Sequence, residues 1–102
     1  MGFPSFQLEF GNRVRTLRKA RGYSQEAFAA HANLDRSAYG KLERGEINVG
    51  LATLARMAVA LELTLAQLLE GIELDAAEVQ ALPRSQRGPQ PIEGRDNGQD
   101  YK

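Results

Sequence analysis

The side chains able to do chemistry are concentrated in one stretch of the 102-residue chain, Arg36-Ser37-Ala38-Tyr39-Gly40-Lys41-Leu42-Glu43-Arg44. At helical spacing Ala38, Tyr39 and Leu42 form an apolar face, which leaves Arg36, Ser37, Gly40, Lys41 and Arg44 outward. That outer face is short-chained and basic. An Arg in a first helical turn presents a planar fork that matches O6 and N7 of guanine, a Ser hydroxyl serves either base type, and a Lys reaches a guanine or a phosphate. Gly40 costs about 1 kcal/mol against Ala in mid-helix. Either the helix tolerates that defect or something, DNA for instance, approaches it closely. Catalysis has no comparable constellation. His31 is the sole His and Cys is absent, so a thiolate metal site, a disulfide and a Cys nucleophile are excluded. There is no Gly-rich phosphate loop, nucleophile elbow or paired-acid motif. The residues predict a binding protein, not an enzyme, with no cofactor and no metal.

The elements that must position this stretch are all helical. Helix signals run from Ser5 to Pro83, and Pro is confined to position 4 and to positions 83 onward. Phe10, Val14 and Leu17 give the first helix one apolar stripe, ended by Gly22. On its other face Arg13, Arg15, Lys19 and Arg21 read as a solvated basic surface. Ser24 can cap a short second helix, with Tyr23 and Phe28 spaced as a hydrophobic staple. After the turn Asn33-Leu34-Asp35, Asp35 caps a third helix of about residues 36–44, which Gly45 ends. Leu51, Leu54, Met57, Ala58 and Leu61 predict a core-facing fourth helix. Thr64 with Gln67 is a capping-box pattern for a fifth helix ending at Gly71, and Asp75 with Glu78 repeats it for a sixth, reaching about Leu82. The chain thus predicts one all-α domain over residues 5–82, a compact five-helix bundle with a possible sixth short helix. From residue 83 Gly, Pro, Gln, Arg and Asp dominate, with Ile92 the one aliphatic side chain, and a disordered tail over 83–102 is expected. Within it Ile92-Glu93-Gly94-Arg95 matches a protease-cleavage linker and Asp100-Tyr101-Lys102 a cut epitope tag.

Two short helices joined by a tight turn are the geometry of a helix-turn-helix, whose second helix enters the major groove. The string from Ser24 to Gly45, SQEAFAAHANLDRSAYGKLERG, resembles the phage-repressor (Xre) family of DNA-binding proteins, a likeness that covers roughly Phe10 to Leu69. Within the family, LDRS followed by ERGEINVGL is most similar to the controller proteins of restriction-modification systems. Ala38 and Lys41 depart from that subgroup, which commonly has an aromatic and a small residue there. The resemblance implies a lambda-repressor-like fold in which Arg36, Ser37, Gly40 and Lys41 face base edges. It also implies that Gln25, Arg44 and Asn48 hold phosphates and that Arg18 and Glu43 form an ion pair joining the first and third helices. Gln25 could equally be an ordinary polar surface residue, and Arg44 a solvated charge offsetting the helix dipole.

A domain this short buries only about 60% of its unfolded surface, so association through leftover apolar surface is a reasonable supplement. Leu65, Leu68, Leu69, Ile72, Leu74 and Val79 exceed what a five-helix monomer needs. They are the expected interface of a homodimer, unless a sixth helix folds back over them. Formal net charge is zero, low for a nucleic-acid-binding domain, so cations must be placed on the docking face. No stretch approaches the roughly 18 apolar residues of a spanning helix, and a cytoplasmic, nucleoid-associated protein is expected. The reading is a homodimeric transcription regulator on double-stranded DNA with a palindromic operator, with no membrane partner and no evident small-molecule ligand. The alternative is an antitoxin that binds a toxin protein and its own promoter, with residues 83–102 the only candidate segment for the toxin.

Overall fold

In the computed structural model, residues 2–84 are described. They form six helices and no strand: α1 Ser5–Ala20, α2 Gln25–His31, α3 Arg36–Glu43, α4 Leu51–Leu61, α5 Leu65–Leu68 and α6 Ala76–Gln80. The tail expected from residue 83, with its linker-like and tag-like strings, lies outside the described residues apart from Pro83 and Arg84. None of the described helices is long and apolar enough to cross a membrane.

The helices begin where a side chain takes over from the carbonyl that a first-turn amide lacks. Ser24 Oγ accepts from the Ala27 amide at 3.0 Å and Asp35 Oδ2 from the Ala38 amide at 2.9 Å. Thr64 and Gln67 exchange both bonds of a capping box, at 3.0 and 2.9 Å. At α6 the expected box is half formed. Asp75 accepts from the Ala77 and Glu78 amides, but Glu78 turns to the start of the chain. Its carboxylate accepts from the Ser5 amide at 2.8 Å and from Ser5 Oγ at 2.7 Å. It thereby caps α1, which has no side-chain cap of its own.

Val14, Phe28, Tyr39, Leu42, Met57, Leu61 and Leu68 are the heart of the core, with Leu17, Tyr23, Leu34, Leu54, Leu63 and Ile72 packed against it. Tyr23 meets Phe28 edge-on at 5.5 Å, so this staple pair is in contact. Leu51 departs from its expected place, being 70% exposed. It is the first residue of α4, one turn ahead of Leu54, and stands beyond the edge of the core. Arg13 also departs from its solvated assignment. Its Nε and Nη2 donate to the Leu68 and Gln67 carbonyls at 2.9 and 2.5 Å, so α1 supplies the donors that the end of α5 lacks.

Close approach of α1 to α3 depends on Gly11. A Cβ there would fall 2.5 Å from the carbonyl oxygens of both Leu42 and Glu43. Only a residue without a side chain fits against that backbone. Nearby, Gln7 Nε2 donates to the Gly45 carbonyl at 2.9 Å, which ties the end of α3 to the first turns of α1.

Candidate nucleic-acid interface

The turn between α2 and α3 passes through Asn33 in the left-handed region, at φ 59°, and Asn tolerates this conformation better than most side chains. From there the buried face of α3 is Tyr39, Leu42 and Glu43. Ala38, expected on that face, is exposed, and Gly40, expected outward, is buried. The first displacement has its cause inside the fold. The helix is rotated so that Glu43, not Ala38, completes the inner stripe, because Glu43 has a partner inside.

That partner is Arg18. Its Nε donates to Glu43 Oε2 at 2.6 Å and its Nη2 to Oε1 at 3.1 Å, while Nη1 donates to the Tyr23 carbonyl at 2.8 Å. The Tyr39 hydroxyl also donates to Glu43 Oε2, and Gln25 Nε2 donates to Oε1 at 2.8 Å. Burial alone would push the Glu43 carboxyl up. The bonds from Arg18, Tyr39 and Gln25 outweigh it and hold the group below the usual carboxylate range. The bond to Glu43 correspondingly raises Arg18, against its own desolvation. Burial first, and donation to Glu43 second, push the Tyr39 phenol well above its ordinary value. A shielded two-pronged pair with its remaining acceptors filled fixes the angle of α3 on α1.

The outer side of α3 carries Arg36, Ser37, Lys41 and Arg44, all exposed. Arg36 does not extend freely. Its Nη2 donates to Gln25 Oε1 at 2.6 Å and its Nε lies 3.4 Å from Glu26 Oε2. Gly40 is buried beneath the side chains of its own helix, since a Cβ on it would lie 2.9 Å from Arg36 Nη1 and 3.5 Å from Arg44 Nη1. Arg44 is paired with Glu46 at 3.0 and 3.2 Å. Gln25, at the first position of α2, spends its Oε1 on Arg36 and one Nε2 hydrogen on Glu43. One hydrogen of that amide remains for another acceptor. Asn48 is exposed in the loop after α3. Six site residues, Gln25, Arg36, Ser37, Lys41, Arg44 and Asn48, therefore lie on α3 or the segments flanking it. Glu26 was not anticipated as a partner of Arg36. Its type and place, an acid in the first turn of a helix, signalled only a favourable dipole contact.

Among the expected interface residues, Leu65, Leu69, Leu74 and Val79 are exposed large apolar side chains and Ile72 is half-buried. Leu68 is not available. It is fully buried in the core of its own chain, below α5, because the capping box at Thr64 turns this position of the short helix inward.

The helix-turn-helix family model matches residues 14–68, just over half of the chain. The chain belongs to the helix-turn-helix family. Over 68 residues it is 41% identical to the control protein C.MunI of a Mycoplasma species, a match covering 66% of this chain and 92% of that protein. The crystal structure of the restriction-modification controller protein C.AhdI from Aeromonas hydrophila superposes with a TM-score of 0.61 at 42% identity. That match covers 63% of this chain and 97% of the other. A third relative is the SPbeta prophage-derived HTH-type transcriptional regulator YonR of Bacillus subtilis, 36% identical over 62 residues, of whose length this chain spans 57%. These helix-turn-helix relatives place the chain among Xre-type DNA-binding transcription regulators, and the all-α, lambda-repressor-like architecture agrees with them.

Proposed function

We propose that the chain acts as a homodimer on a palindromic operator, reading each half-site with α3. The observation that carries this reading is the division of α3 into two faces. Its inner face is locked to α1 by Arg18 and Glu43, while Arg36, Ser37 and Lys41 stand on its outer face. A helix so held can enter the major groove as a rigid probe, its phosphate contacts setting register and its base contacts setting sequence. Arg36, Ser37 and Lys41 contact base edges, and Gly40, having no Cβ, makes room for the Arg36 guanidinium beside it. Gln25, through its spare amide hydrogen, Arg44 and Asn48 hold the flanking phosphates. The dimer forms through Leu65, Leu69, Ile72, Leu74 and Val79, and the protein works in the cytoplasm on the nucleoid. Its regulated genes are a restriction-modification pair, as its likeness to the restriction-modification controller C.AhdI suggests.

The test is selection from a randomised duplex pool with the full chain, followed by binding of the recovered duplex and of a mixed-sequence duplex of equal length. Recovery of a motif with two inverted halves, bound far more tightly than the mixed duplex, is the expected result. A chain that recovers no motif refutes the reading. Asn48→Ala separates the two kinds of contact, because loss of a phosphate contact weakens both duplexes by similar factors.

A further inference from the structure

Arg36 has a more constrained environment than an exposed Arg requires. Gln25 and Glu26, both in the first turn of α2, engage its Nη2 at 2.6 Å and its Nε at 3.4 Å. The side chain is laid along α3 and not out into solvent, so that Nη1 comes to 2.9 Å from the place of a Cβ on Gly40. The absence of that Cβ is what gives the guanidinium its seat. A guanidinium offers two forks, the Nε–Nη2 edge and the Nη1–Nη2 edge, and Nη2 carries two hydrogens. With the first edge held by α2, the second is left for a partner with two acceptors, as guanine is in the major groove. Gln25 is itself held by Glu43 at 2.8 Å, so the cradle is anchored on the buried pair.

We propose that Glu26 is a positioning residue for base reading. With Gln25 it holds the Nε–Nη2 edge of Arg36 while Nη1 lies over Gly40, so that the Nη1–Nη2 edge is presented to a guanine near the middle of α3. The proposal rests on the reading of α3 given above and names how its Arg is aimed. Arg36 loses rotamer freedom during folding and not at docking, which favours the bound state. While held, it is also kept from swinging onto any nearby phosphate, so the acid lowers binding to unrelated sequence. The competing role for Glu26 is a favourable charge at the start of α2, which bears on helix stability and not on which base is preferred.

The experiment compares wild type, Glu26→Gln, Arg36→Ala and the double variant on two duplexes, the one selected by the wild type and a mixed sequence. Glu26 is 73% exposed at its side chain, so the neutral variant should fold, and far-UV circular dichroism checks this. Glu26→Gln is expected to weaken the selected duplex by about two- to fivefold, the range of an exposed ion pair, without weakening the mixed one. Repeating the selection should show loss of preference at the same base position that Arg36→Ala loses. In the Arg36→Ala background the Glu26 substitution should no longer weaken the selected duplex. The proposal is overturned if Glu26→Gln shifts both duplexes by equal factors, tightens the selected one, or weakens it equally without Arg36. A wild type that selects no sequence overturns the reading of α3 itself, and this proposal with it.

Discussion

Arg36 and Glu43 show how one helix divides its labour between groups seven residues apart. Arg36 is half exposed with one edge free, and its replacement by Ala should cost about 1–3 kcal/mol on the selected duplex and relax one base position per half-site. An unchanged preference in a repeated selection would remove Arg36 from the reading set. Glu43 is the opposite case. Its carboxylate is buried with Arg18, Tyr39 and Gln25 around it, so losing Arg18 strands a buried charge. Arg18→Ala should therefore cost about 3–5 kcal/mol, whereas a pair of apolar replacements at 18 and 43 should cost less than either single change. Thermal unfolding of the three variants checks the order. The sign of the pH dependence follows from the lowered carboxyl of Glu43. Its stabilisation is fully present above the unfolded-chain value of 4.5 and is lost as the pH falls through the lower folded value. Glu43→Gln should flatten stability across that acid range, and a variant whose melting temperature falls as steeply as the wild type's would show that other carboxylates govern it.

At the scale of elements, what could be read from the chain was what a chain neighbour decides. Ser24, Asp35 and Thr64 each cap a helix whose amide lies three residues on, and such short loops leave a clear mark in residue type and spacing. Contacts across the fold leave none. Nothing in the residues around Arg13 points to carbonyls 54 and 55 positions away, and Glu78 carries a local capping signal that it abandons for Ser5. The rotation of α3 belongs to the same class. Apolarity put Ala38 inside, but an ion pair with Arg18 put Glu43 there, and in a helix of eight residues one such pair decides the facing. The resemblance to Xre proteins had named Arg18 and Glu43 as partners, while the residues of α3 alone had not. Gly11 is the element-scale residue that spacing did not reveal, because a glycine inside an apolar stripe reads as a weak helix position. Gly11→Ala sets a Cβ against the backbone of α3 and so must separate α1 from α3. The expected loss is about 1–3 kcal/mol, the range of an overpacked site, together with weaker DNA binding as α3 tilts. A melting temperature equal to or above the wild type's would show that the helices can part at no cost.

At the scale of the whole molecule, the proposed dimer needs a surface that would join two copies. A single helix of eight residues reaches only a few base pairs, so useful specificity calls for two, and a two-fold pair sets them about 34 Å apart on one face of DNA. On the proposed reading the outer faces of α2 and α3 stay free for the duplex. Leu69, Ile72 and Leu74 instead border an apolar groove with Phe6, Phe10, Ile47 and Leu54, and Leu65 on α5 and Val79 on α6 are further exposed apolar side chains. Glu78 pins α6 to the start of α1 and yet leaves Leu74 69% exposed, so the sixth helix does not fold back far enough to cover this region. A second apolar surface competes with it. Leu51 and Val59 on α4 are 70% and 77% exposed, more than any of the α5 and α6 leucines, and they lie at i and i+8 on one helical face. The two surfaces make different predictions. If the α5 to α6 region joins the copies, Leu69→Glu with Leu74→Glu should convert a dimer, twice 11.2 kDa or about 22 kDa, into a monomer at micromolar concentration. It should also abolish the advantage of two half-sites over one, whereas Leu51→Glu with Val59→Glu should do neither. Sedimentation of both variants decides it: a monomer produced only by the α4 changes moves the interface to α4, and a wild type that is already monomeric, and binds one half-site as tightly as two, removes the dimer altogether.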